Sequence, residues 1–99
     1  MRSINQQLKI QLDTRLVQTA GLVAADLDGE KAMMSVEKGK YYGLDATGSC
    51  IWELIEKPVT VKEVIEALMD QYDVDEATCQ KDVLVFLNKM VDEGLVSIV

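Results

Sequence analysis

Val23-Ala24-Ala25-Asp26-Leu27-Asp28-Gly29-Glu30-Lys31-Ala32-Met33-Met34-Ser35-Val36 is the stretch on which the fold turns. Val23, Ala25 and Leu27 repeat every second residue, the spacing of a strand whose two faces differ. Asp28-Gly29 follows, and both residue types tolerate the positive φ that a two-residue hairpin loop needs. Beyond the loop, Ala32, Met34 and Val36 alternate with Met33, Ser35 and Glu37. Lys38-Gly39 marks a second tight turn, and Lys40-Tyr41-Tyr42-Gly43-Leu44 reads as a further strand. Such a meander of three short strands is marginal alone and calls for a helix layer on one face.

Upstream, Leu8-Lys9-Ile10-Gln11-Leu12 also alternates, as a short first strand or an extended arm. Downstream the period changes from two to that of a helix. Asp45 or Thr47 can cap a first helix bearing Cys50, Ile51, Leu54 and Ile55 on one face, which Pro58 ends. Thr60-Val61-Lys62-Glu63 is a capping box. The helix it opens carries Val61, Val64, Ile65, Leu68, Met69 and Tyr72 as one stripe, with Tyr72 closing its core. Asp73 and Asp75 supply a turn and cap, a last helix runs from about Glu76 to Glu93, and Gly94 is its natural terminator. Leu95-Val96-Ser97-Ile98-Val99 is a terminal apolar strand or tail. The order predicts a small α+β domain, a three-stranded antiparallel sheet followed by three helices.

The last helix has a wide apolar arc. With Leu87 at its centre, Val83, Leu84, Met90 and Val91 fall within about 60°. Phe86 and Cys79 lie about 80–100° away, and Val85 is nearly opposite. The Cys79–Asp82–Phe86–Met90 margin can therefore border a groove or pack on the sheet.

Composition narrows the chemistry. The 99 residues form one domain, 48% hydrophobic and 27% charged, the profile of a globular chain. No apolar run spans a bilayer and the N-terminus lacks a signal peptide, so the expected location is cytoplasmic. With no histidine there is no imidazole base or metal ligand. Cys50 and Cys79 match no zinc or redox spacing and read as core-filling thiols. No phosphate loop, dinucleotide fingerprint or metal set is present, so no catalysis, cofactor or metal is expected. The net charge of −7 lies wholly in residues 50–99, where four lysines face eleven acids. Nucleic acid would be repelled by that half, whereas a neutral or basic peptide would not.

Tyr42-Gly43-Leu44-Asp45-Ala46-Thr47-Gly48-Ser49-Cys50-Ile51-Trp52-Glu53-Leu54 comes first of four fragments; Thr60-Val61-x-Glu63-Val64-Ile65, Asp82-Val83-x-x-Phe86-Leu87 and Gly94-Leu95-Val96 follow in order. Together they resemble the PqqD family, over residues 16–99. Residues 1–15 match poorly and are set apart as an N-terminal strand or arm. The resemblance implies a winged helix-turn-helix-like domain that binds the leader of a ribosomally made precursor peptide. A freestanding chain of this length is similar to the B1 proteins of lasso-peptide pathways, where a separate cysteine-type leader peptidase does the cutting. The founding member serves a radical SAM enzyme instead, which is the alternative reading.

On that footing a leader would add as a strand along Lys40–Leu44, in the cleft beside the last helix, satisfying open backbone groups. Lys40, Tyr41, Tyr42 and Leu44 then form one wall, with only one of the two tyrosines turned inward. Cys79, Asp82, Val83, Phe86 and Met90 form the other, suited to the aromatic-x-x-Pro segment and following leucine that lasso leaders carry. Asp82 would pair with a basic leader residue. Trp52, about 100° off the centre of its helix's apolar face, reads as a core-edge anchor, and Lys38 and Lys40 as turn and edge charges that block unwanted pairing. A free strand edge also permits dimerisation by strand pairing or swapping. A DNA-binding winged-helix regulator is the remaining alternative, but Lys81 and Lys89 against Glu76, Asp82, Asp92 and Glu93 suit a major groove poorly.

Overall fold

The computed structural model describes residues 10–99. Among these residues six strands and three helices follow one another as β1 (Arg15–Gln18), β2 (Leu22–Leu27), β3 (Glu30–Ser35), β4 (Lys40–Leu44), α1 (Ala46–Leu54), β5 (Val59–Thr60), α2 (Val61–Gln71), α3 (Glu76–Asp92) and β6 (Val96–Ile98). The strands form two antiparallel sheets, ordered β2-β3-β4 and β5-β1-β6. The α+β class and the run of three strands into three helices are as the sequence reading has them.

The hairpin between β2 and β3 is built as its dipeptide dictates. Asp28 has φ 54° and Gly29 φ 87°, so both loop residues are left-handed, the geometry that matches the twist of the flanking strands. The next connection differs from expectation. It takes the four residues Val36–Gly39, and the Gly39 N–H donates to the Ser35 carbonyl at 2.7 Å. Val36 therefore leaves the strand, and Ser35 pairs with Lys40.

The meander's buried face is the less apolar of its two. Met33, Ser35, Tyr42 and Leu44 turn toward the helices, while Val23 and Leu27 are over half exposed. Lys31 also turns inward, and its ammonium pairs with Asp26, its cross-strand partner, and with Glu53 of α1 at 3.1 Å. Its N–H donates to the Ser49 hydroxyl at 2.8 Å, tying the sheet to α1. Those two carboxylates hold its pKa above the usual lysine range, by their hydrogen bonds first and their charge second.

Of the second sheet the sequence reading holds only the terminal apolar run 95–99, taken as a strand or tail, and β6 falls within it. Ile10-Gln11-Leu12 is not a strand, and Leu8 and Lys9 lie outside the described residues. Ile10 is instead buried, and the strand begins at Arg15. Only Leu16 of β1 is fully buried, too little alternation to register in four residues. β1 runs between β5 and β6, setting the strand that precedes α2 beside the one that follows α3. The Gln18 amide donates to the Trp52 carbonyl at 2.7 Å, and the Gln18 and Thr19 N–H groups donate to Ile55 and Leu95.

Helix ends follow the caps. Asp45 accepts from Gly48, Thr60 and Glu63 complete the capping box, and Asp75 accepts from Thr78. Glu63 is held below its ordinary pKa, chiefly by the Thr60 N–H. One core gathers Leu16, Met33, Ile51, Trp52, Val64, Leu68, Val83 and Leu87. Trp52, expected at the edge of the core, is 4% exposed and lies within it. Cys79 is buried and Cys50 half-buried. Tyr72 departs from expectation: α2 ends at Gln71, the tyrosine turns extended, and it is 39% exposed rather than closing the core. Among the described residues no helix is long and apolar enough to cross a membrane.

Candidate functional site

Among the described residues β4 is an edge strand, paired with β3 on one side only. Alternation sends its two tyrosines to opposite faces. Tyr42 is half-buried, and its hydroxyl lies 3.3 Å from a Glu93 carboxylate oxygen at the end of α3. Burial raises the Tyr42 phenol's pKa, and the Glu93 charge adds to the effect. Tyr41 is 79% exposed on the outer face. Lys38, read from sequence as a turn charge, has a second task. Its ammonium donates to the Glu93 carbonyl at 2.6 Å, a cation at a helix C-terminus. Lys38 and Tyr42 thus clasp the hairpin to the last turn of α3.

At the other end of α3, β4 runs into Asp45 and the first turn of α1, and here a cavity of about 670 Å³ opens. Asp45, Thr47, Gly48 and Ile51 come from the start of α1, and Leu68, Tyr72 and Val74 from the α2 end and the following turn. The α3 side presents Thr78, Cys79, Lys81, Asp82, Val83, Val85, Phe86 and Lys89. The lining is mainly apolar, with Asp45 and Asp82 balanced by Lys81 and Lys89. Such a cavity suits a bulky apolar side chain with a polar group at its mouth. Burial, and then the charge of Asp82, push the Cys79 thiol's pKa up, so it stays protonated and weakly nucleophilic. Among the described residues no group of three or more His, Cys, Asp or Glu side chains is placed to hold a metal ion.

The cavity brings together Cys79, Asp82, Val83 and Phe86 of the residues singled out from sequence. Met90 and Leu44 are buried in the core outside its lining, and Lys40 and Tyr41 lie exposed on the edge strand. Sequence reasoning missed the whole α1 contribution and Tyr72. One signal was available: Gly48 falls within a stretch that reads as helix, and glycine is among the poorest helix formers.

Residues 30–96 match the family described as Coenzyme PQQ synthesis protein D (PqqD). No curated protein matches the chain by sequence. Among solved structures, TbiB1 in complex with the TbiA(beta) leader peptide superposes with a TM-score of 0.76 at 32% identity, covering 82% of this chain and 94% of that one. A lasso peptide synthetase B1 complexed with its leader peptide gives 0.73 at 16% identity, over 83% of this chain and 96% of the other. The PqqD truncation of Methylobacterium extorquens PqqCD, a stand-alone recognition element for ribosomally synthesised and modified peptides, gives 0.76 at 16% identity, over 93% and 98%. The last two likenesses concern the fold.

Proposed function

The chain belongs to the PqqD family, and from that premise we propose that it binds the leader segment of a ribosomally made precursor peptide and presents it to a separate leader-cleaving peptidase of a lasso-peptide pathway. The observation that carries the reading is an open strand edge, β4, leading directly into an apolar cavity between α1 and α3. A peptide added to that edge gains backbone hydrogen bonds of little sequence dependence, and the cavity supplies selectivity. Added antiparallel, it would start at the cavity and leave past Lys40, toward the Lys38–Glu93 clasp. Its segment beyond the clasp would be the part offered to the enzyme. The 32% identity to TbiB1, over nearly all of that chain, supports a leader peptide as the ligand.

The candidate contacts divide by role. Lys40, Tyr41 and Tyr42 offer backbone groups. Cys79, Val83 and Phe86 receive an apolar side chain, Asp82 pairs with a basic residue at the mouth, and Leu44 and Met90 support the walls from the core. The protein is a binding module that works in the cytoplasm and needs no cofactor.

Fluorescence anisotropy of a labelled leader carrying aromatic-x-x-Pro, beside a scrambled copy, tests the reading. Saturable binding of the true leader alone is expected, at micromolar affinity or tighter. Phe86→Ala in a folded protein is expected to weaken it by more than about 1 kcal/mol. No binding to any leader of this class would sink the lasso assignment. Pull-downs against a leader peptidase and a radical SAM maturase then separate the two enzyme partners.

A further inference from the structure

Gly48 is the third residue of α1, and its backbone does not require glycine, for it is absent from the positive-φ positions Gly21, Gly29, Gly39 and Gly94. A Cβ added at Gly21, Gly29, Gly39 or Gly43 would meet nothing within 4 Å. One added at Gly48 would stand 3.2 Å from Phe86 Cε1 and 3.3 Å from its Cζ. It would also stand 3.2 Å from Asp45 Oδ1. That carboxylate is fixed, since it accepts the Gly48 N–H at 2.8 Å as the cap of α1. The half-buried Phe86 ring is the neighbour able to yield, and its free side faces the cavity lined by Leu68, Cys79 and Val83.

Resting on the peptide-binding reading above, we propose that Gly48 sets the size of side chain the cavity accepts: by giving up its own Cβ it lets the Phe86 ring lie back against the first turn of α1. A side chain at position 48 pushes the ring into the space a bulky peptide residue would fill. Alanine moves it by a few tenths of an ångström. Leucine, with no helix penalty of its own, moves it further. Gly48 is therefore a positioning residue that acts through Phe86.

The test is a grid of affinities. Synthetic aromatic-x-x-Pro leaders, with the aromatic as Trp or Tyr or replaced by Leu or Ala, are titrated against wild type, Gly48→Ala, Gly48→Leu, Phe86→Ala and Gly48→Leu/Phe86→Ala. Gly48→Leu is expected to weaken the Trp and Tyr peptides roughly tenfold or more relative to the Ala peptide. Gly48→Ala falls between, and measured against Phe86→Ala alone the double variant shows no further loss of the preference for large residues. Equal weakening of all peptides, or none in a folded variant, overturns the proposal. If Gly48→Leu fails to fold, Gly48→Ala against wild type is judged by the same size preference.

A peptide-free readout separates this claim from the function reading. Cys79 lines the same cavity, so its slow alkylation by iodoacetamide in a Cys50→Ser background, at alkaline pH where the thiol ionises and the protein remains folded, reports on the space before it. Gly48→Leu is expected to slow the reaction several-fold and the double variant to recover it. Unchanged rates overturn the proposal even if leaders bind. The expected rates with no leader bound by wild type would uphold the steric role while removing the lasso ligand.

Discussion

Tyr41 and Tyr42 differ by one position and face opposite worlds. Tyr42 reaches Glu93 beneath the sheet, while Tyr41 stands in solvent. Their backbone N–H groups alternate in the same way, one toward β3 and one toward the open edge. Proline has no N–H, so proline scanning separates the two. One of Tyr41→Pro and Tyr42→Pro is expected to break the β3–β4 ladder and lower the melting temperature. The other is expected to fold and lose leader binding. Melting curves and anisotropy read both effects, and leader binding retained by both variants rules out strand addition at β4. Phe86 poses the complementary question at side-chain level, since its ring packs on α1 and walls the cavity at once.

At the scale of elements, caps decide where helices start, and the start of α2 also ends β5. Thr60 pairs with Arg15 in the sheet and caps α2 through Glu63. Thr60→Ala is expected to cost about 0.5–2 kcal/mol in denaturant unfolding. The same box predicts a pH dependence. The folded-state pKa of Glu63 is depressed by the Thr60 N–H, so its contribution is present above the unfolded carboxylate's pKa and is lost as pH falls through the lower, folded one. The stability gap between wild type and Glu63→Gln should therefore shrink on acidification through that window. A gap that stays constant from neutral pH to the acid limb would show that the carboxylate's charge contributes nothing. The clasp between β4 and α3 is a second device at this scale. It holds the hairpin against the helix at one end and leaves the cavity end free.

At the scale of the molecule, one core serves both sheets, and Trp52 sits in it. Gln18 of the second sheet bonds to the Trp52 carbonyl, and Lys31 of the first is tied to Ser49 and Glu53 of the same helix. α1 therefore couples the two sheets. Trp52 fluorescence and far-ultraviolet circular dichroism should give coincident denaturation curves, and two separated transitions would mean that the sheets unfold independently. The sequence by itself determined the hairpin at Asp28-Gly29, the three helices with their caps, and the apolar margin of α3. Each of these is a local property, set by dihedral preference, capping or helical period within a few residues. Only the tertiary structure decided the rest. Strands of four and two residues, β1 and β5, carry too little periodicity to be read alone, and the sheet that the terminal run 95–99 joins exists because β1 brings distant segments together. Alternation marked two faces on the meander, but packing chose the one with Met33 and Ser35 and left Val23 and Leu27 outside. The α1 wall of the cavity was as hard to read: a glycine inside a helix hints at a close neighbour, but that the neighbour is Phe86 is a distance across the fold that no spacing along the chain encodes.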